Sequence, residues 1–116
     1  KGQEFATLTD ILTQAWSGKT VRQYKQFKNL KKENLRDNMT NLELVLNMLA
    51  EATTTEISKE KNPKNMTENK IIAHQGGRIA GNTRRQIEAK TGKKIVSGQN
   101  AKQLKKITSG KKKIKR

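Results

Sequence analysis

The residues with the clearest chemistry are cations. Lys25, Lys28, Lys31, Lys32 and Arg36 fall within one short stretch, and Lys105, Lys106, Lys111, Lys112, Lys113, Lys115 and Arg116 crowd the end of the chain. A lysine ammonium is a compact charge that neutralises phosphate and releases counterions but reads no base edge, so the pattern points to phosphate contact without sequence preference. For the terminal run a solvated tail is the plain alternative.

The distribution of charge supports a polyanion partner. The 116 residues carry a net +16, divided as −1 over residues 1–18, +6 over 19–36, −3 over 37–62, +4 over 63–92 and +10 over 93–116. An acidic segment flanked by basic ones implies that particular surfaces approach the polyanion, and DNA is the expected one.

Other chemistries are poorly served. With one His and no Cys the chain cannot build a zinc site, and its Asp and Glu residues lack calcium-loop spacing. His74 has no Asp or Glu close by in sequence to orient it as a base, so it reads as a surface residue. We therefore expect no enzyme, cofactor, metal or small-molecule substrate. Gly76-Gly77-Arg78-Ile79-Ala80-Gly81 superficially resembles a phosphate loop, but no hydrophobic strand precedes it and no Lys-Ser or Lys-Thr follows. Three readings stand: a helix in close backbone contact with another, a helical break, or a break whose amides 78–80 hold an anion.

The elements that must position these groups are helical. Residues 34–57 hold the most concentrated apolar run, and Thr40 with Glu43 forms a capping box that starts a central helix running to Ile57, ~27 Å long. Leu42, Val45, Leu46, Leu49, Thr53 and Ile57 recur at helical spacing, Leu44, Met48 and Ala52 form a second stripe, and Glu43, Asn47 and Glu51 are left as a wet edge. Neighbouring segments are expected to wrap this helix. Upstream, Phe5, Leu8, Ile11, Leu12, Ala15 and Trp16 predict a helix over 3–16 stopped by Ser17-Gly18, and Thr20 caps a short helix with Val21, Tyr24, Phe27 and Lys28 on one side. The pair imitates a helix-turn-helix, although any helical hairpin with a Gly turn looks the same.

Downstream, Pro63 interrupts the chain near Asn62. Thr67 is placed to cap a helix whose buried stripe is Ile72, Gly76, Ile79, Ala80, Thr83 and Ile87, ending at Gly92. Lys93 to Ser97 should tuck Ile95 and Val96 onto the core, and residues 100–107 can form a frayed helix. The expected architecture is all-α: a small irregular helical bundle around a central helix, with a domain over 1–97 and a basic, largely disordered tail over 98–116. The composition, 31% hydrophobic and 31% charged, leaves a thin core for this length. No apolar run approaches the ~18 residues of a membrane span, and zero cysteines fit a reducing cytoplasm. Lys1 in place of Met reads as the interior of a longer protein.

Taken in order, Tyr24-Lys25-Gln26-Phe27-Lys28, Asn34-Leu35-Arg36-Asp37-Asn38-Met39-Thr40-Asn41-Leu42-Glu43-Leu44, Thr54-Thr55-Glu56-Ile57, Gly76-Gly77-Arg78-Ile79-Ala80-Gly81-Asn82-Thr83-Arg84 and Thr91-Gly92-Lys93 form a succession of blocks. It resembles the C-terminal region of BRO-family prophage proteins, many of them labelled DNA-damage-inducible protein D. The resemblance spans about residues 4–100. It implies a bacterial, cytoplasmic protein with an upstream BRO domain, thought to bind DNA, and a C-terminal helical region of poorly defined role. The BRO domain is absent here, so its DNA-binding residues have no positions in this chain. Two functions follow as expectations: an accessory domain making nonspecific DNA contacts, or a domain that binds itself or another protein.

Overall fold

The structure is a computed structural model, and it describes residues 2–104. Lys1 and the cations from Lys105 to Arg116 lie outside the described residues. The fold is all-α: α1 spans Gly2–Ser17, α2 Val21–Phe27, α3 Asn41–Lys61 and α4 Met66–Thr91, with a 3-10 turn at Arg36–Asn38 before α3.

Local chemistry sets the helix ends. Thr20 and Gln23 form a reciprocal capping box at the start of α2, and Thr40 and Glu43 form another at the start of α3. Asn62, at φ +49°, closes α3 ahead of Pro63, and Gly92, at φ +73°, closes α4, a backbone region that suits Asn and Gly. One cap differs from expectation. Asn65 rather than Thr67 starts α4, because the Asn65 side chain accepts the Glu68 amide at 2.9 Å from an extended backbone, which puts Thr67 inside the first turn.

The helix at the centre is α4, in place of the predicted helix over 40–57. It packs along both α1 and α3, whereas α1 and α3 meet briefly and α2 meets α1 over a short length. The reason is side-chain size. Ala73, Gly76, Gly77, Ala80 and Gly81 make a buried strip along α4 that admits the neighbouring backbones. A Cβ built on Gly76 would lie 2.8 Å from the Thr54 amide nitrogen, one on Gly77 2.7 Å from the Leu12 carbonyl oxygen, and one on Gly81 2.7 Å from the Ala15 carbonyl oxygen. The segment is thus one continuous helix in close contact with two others, and the readings as a break or an anion loop are overturned.

The largest departure concerns which side of α3 is buried. Leu46 faces inward as predicted, joined by Ala50, which neither predicted stripe included, but Glu43 and Asn47, expected on the wet edge, are buried too. Leu42, Val45 and Met48, expected inside, are exposed. Both polar side chains find partners that make burial tolerable: Asn47 Oδ1 accepts the Trp16 indole N–H at 3.1 Å, and Glu43 accepts four donors, described below. Glu51 stays exposed.

After Gly92 the chain crosses back over the body. Ile95 is buried, and the stretch expected to begin a loose tail is instead held down: the Ala101 amide donates to Asn38 Oδ1 at 2.8 Å and the Asn100 side chain to the Lys28 carbonyl at 3.1 Å. Residues 101–104 form a helical turn. Residues 98–101, expected to begin the tail, are thus part of the packed body. Among the described residues no helix is long and apolar enough to cross a membrane.

Close approach along α4 gives a test. Ala is worth ~1 kcal/mol over Gly in a helix interior, but forcing a methyl into a packed contact costs about 1–3 kcal/mol. Gly77→Ala and Gly81→Ala should each lower stability in urea melts despite their better helix propensity, because the atoms met first at both positions include backbone carbonyls that cannot rotate away.

Candidate nucleic-acid interface

The basic cluster predicted at residues 25–36 is divided by the fold. Lys31 and Lys32 are exposed and Lys25 is half-buried. Arg36 is exposed but occupied, with its Nη1 2.8 Å from each carboxylate oxygen of Glu51. An exposed pair of this kind is worth about 0.2–1 kcal/mol, so it can open toward a phosphate.

Lys28 is a correction. Its side chain is fully buried, and its ammonium donates to Glu43 Oε1 at 2.8 Å and to the Gln99 carbonyl at 2.6 Å, 5.6 Å from the centre of the Tyr24 ring. It cannot meet a nucleic-acid phosphate without leaving the core. The cause lies at the end of α2, where Tyr24 and the C-cap residue Lys28 are one turn apart and both turn inward, a placement available to Lys28 because a buried carboxylate waits there.

That carboxylate is satisfied from four directions. Glu43 Oε1 accepts Lys28 Nζ and, at 2.8 Å, the Thr40 amide; Oε2 accepts the Tyr24 hydroxyl and, at 3.0 Å, the Ser97 amide. Burial, then the hydrogen bond to Glu43 and its negative charge, push the Tyr24 phenol well above its ordinary value, so Tyr24 is a neutral donor. A second carboxylate holds the same returning segment. Glu88 accepts the Ile95 amide at 3.0 Å and Arg84 at 2.8 Å; burial acts to raise its pKa, but these two donors prevail and hold it below the ordinary carboxylate value.

The consequence for the surface is geometric. Gln99, Asn100 and Ala101 are bonded to Lys28 and Asn38, so this part of the returning segment lies against the two ends of the loop that carries Lys31 and Lys32. Beside them, α1 and α2 enclose an open groove of about 670 Å³ whose lining includes Phe5, Arg22, Lys25 and Lys31. Asp10 also lines it, but its carboxylate accepts the Val21 amide at 2.8 Å. Arg22 is a cation the sequence pattern did not single out.

His74 is exposed on α4 in a shallow depression with Lys70 and Arg78, and no carboxylate lines it. Among the described residues no group of three or more His, Cys, Asp or Glu is placed to hold a metal. Comparison with protein-family models, with curated proteins and with solved structures returned no match to this chain.

Lys28→Met should cost about 3–5 kcal/mol, the range for removing one member of a buried ion pair, because Glu43 stays buried with its main counter-charge gone. Lys31→Met, at an exposed position, should change stability by less than about 0.5 kcal/mol in the same denaturant titration.

The single tyrosine gives a spectroscopic test. Tyrosine in the unfolded chain ionises near pH ~10, while folded Tyr24 ionises higher, so above that pH the unfolded state binds fewer protons and stability falls as pH rises. Tyrosinate absorbance should therefore stay absent above pH ~10 until the chain unfolds, and Tyr24→Phe should flatten this part of the pH dependence.

Proposed function

We propose that this chain is a non-enzymatic accessory domain that holds DNA by its phosphates, without reading sequence, within a cytoplasmic bacterial protein of the BRO-family kind. The observation that carries the reading is where the two basic segments meet: hydrogen bonds between residues 99–101, part of the net +10 segment 93–116, and Lys28 and Asn38 tie that segment to the ends of the loop that carries Lys31 and Lys32. Lys25, Lys31, Lys32 and Arg22 supply charge on the body, and Arg36 joins on releasing Glu51. Lysines dominate, which suits positioning on a backbone and supplies little base readout. The resemblance to BRO-family proteins supports the same reading, with specificity left to an upstream domain.

Affinity should be on the order of 10⁻⁴–10⁻⁶ M at physiological salt and equal for unrelated duplexes. Each phosphate contact contributes ~0.9 to the slope of log affinity against log salt. In fluorescence titrations of labelled duplexes, Lys31→Glu with Lys32→Glu should lower that slope by roughly 2, and deletion of residues 105–116 should lower it further. Binding that ignores salt, or none at low salt, would remove the proposal.

A further inference from the structure

α3 carries an apolar face that nothing in the described structure covers. Leu42 is 39%, Val45 56% and Met48 49% exposed, and Ala52 and Thr55 stand exposed further along. At ~100° per residue these five side chains fall within roughly 140° of arc, on the side away from buried Leu46 and Ala50. Scattered exposed apolar residues are ordinary on any surface, but a contiguous stripe on one helix is the kind of patch that marks a contact.

We propose that this face binds a second copy of the chain, the two α3 helices pairing antiparallel about a twofold axis between residues 48 and 49. Charge selects this face. Residues 37–58 form the longest stretch without a Lys or Arg, so two molecules of net +16 can meet there while their lysines stay apart. Shape selects the direction. The stripe tapers from bulky Leu42, Val45 and Met48 to small Ala52 and Thr55, and antiparallel pairing sets Val45 against Ala52 of the second copy and Leu42 against Thr55. A parallel pair would oppose bulk to bulk and leave gaps at the other end.

The ends of the pair agree. Antiparallel register carries exposed Glu56 to the start of the other α3, where the helix dipole favours a carboxylate, and sends Lys59 toward exposed Asp37 of the second copy. Because each copy presents the same stripe, the contact closes as a dimer and does not propagate.

Sedimentation equilibrium on the 116-residue chain, freed of nucleic acid, tests this. A reversible monomer–dimer equilibrium is expected, tightening as added salt screens the repulsion between two +16 molecules. DNA binding responds to salt in the opposite sense, so the two proposals fail separately. Val45→Glu and Ala52→Lys should each weaken the dimer at least tenfold with the circular dichroism unchanged, whereas Ile79→Glu, exposed on α4, should leave it intact. The doubly substituted Val45→Glu/Ala52→Lys chain should regain at least tenfold, since each introduced carboxylate then meets an introduced ammonium across the axis. Within one chain the two positions are ~10 Å apart along the helix and do not pair. A monomer at every concentration overturns the proposal and leaves the face to a different protein. A dimer indifferent to Val45→Glu overturns the choice of face, and a double variant that fails to recover overturns the antiparallel register.

Discussion

The structure depends on one buried carboxylate. Glu43 has no solvent contact, and a charge in that position is tolerated only when paired and fully hydrogen-bonded. Its four donors come from separate parts of the chain: Tyr24 and Lys28 at α2 and its C-cap, Thr40 at the head of α3, and Ser97 in the returning segment. α2 has only a short contact with α1 and none of comparable extent with α3 or α4, so this polar joint fixes where it lies. The geometry of the four donors also selects one arrangement, since a carboxylate satisfied by three of them would keep a lone pair buried and unmet.

A second constraint acts at the other side of the molecule. α4 approaches α1 and α3 so closely that Gly76, Gly77 and Gly81 have no room for a methyl group. The chain thereby offsets its thin supply of large apolar residues with backbone contact and dispersion across a wide front. Arg84 connects the two constraints. Its Nε donates to the Trp16 carbonyl at 2.8 Å, satisfying an acceptor near the C-terminal end of α1, and its Nη1 meets Glu88, which holds Ile95.

For function, the joint sorts cations that look alike in sequence. Lys28 is consumed by the core, Arg36 is shared with Glu51, and Lys31 and Lys32 are left to solvent. The same hydrogen bonds that bury Lys28 fasten residues 99–101 against it, at the end of the loop that carries Lys31 and Lys32. The apolar stripe of α3 is the complementary outcome: with Glu43 and Asn47 turned inward, Leu42, Val45 and Met48 have no place but the surface.

The sequence by itself determined the helices and most of their ends, because these rest on interactions within a few residues, although α3 runs on to Lys61, past the expected Ile57, and Asn65 replaces Thr67 as the cap of α4. Thr20, the Thr40 and Glu43 box, Pro63 and Gly92 act locally, and the apolar period of 3–16 is enough to place Trp16 in the core. The all-α class was legible for the same reason, whereas the Gly76–Gly81 stretch left close packing, a break and an anion loop open until contacts with Thr54, Leu12 and Ala15 decided among them. What only the tertiary structure decided is which way α3 faces, which helix lies at the centre, and which lysines remain free. Periodicity scores polar residues as outward-facing, yet the burial of Glu43 depends on Lys28, Tyr24 and Ser97, which lie 15, 19 and 54 residues away. A charge changes sides when a distant partner repays its desolvation, and that partner is visible only once the chain has folded.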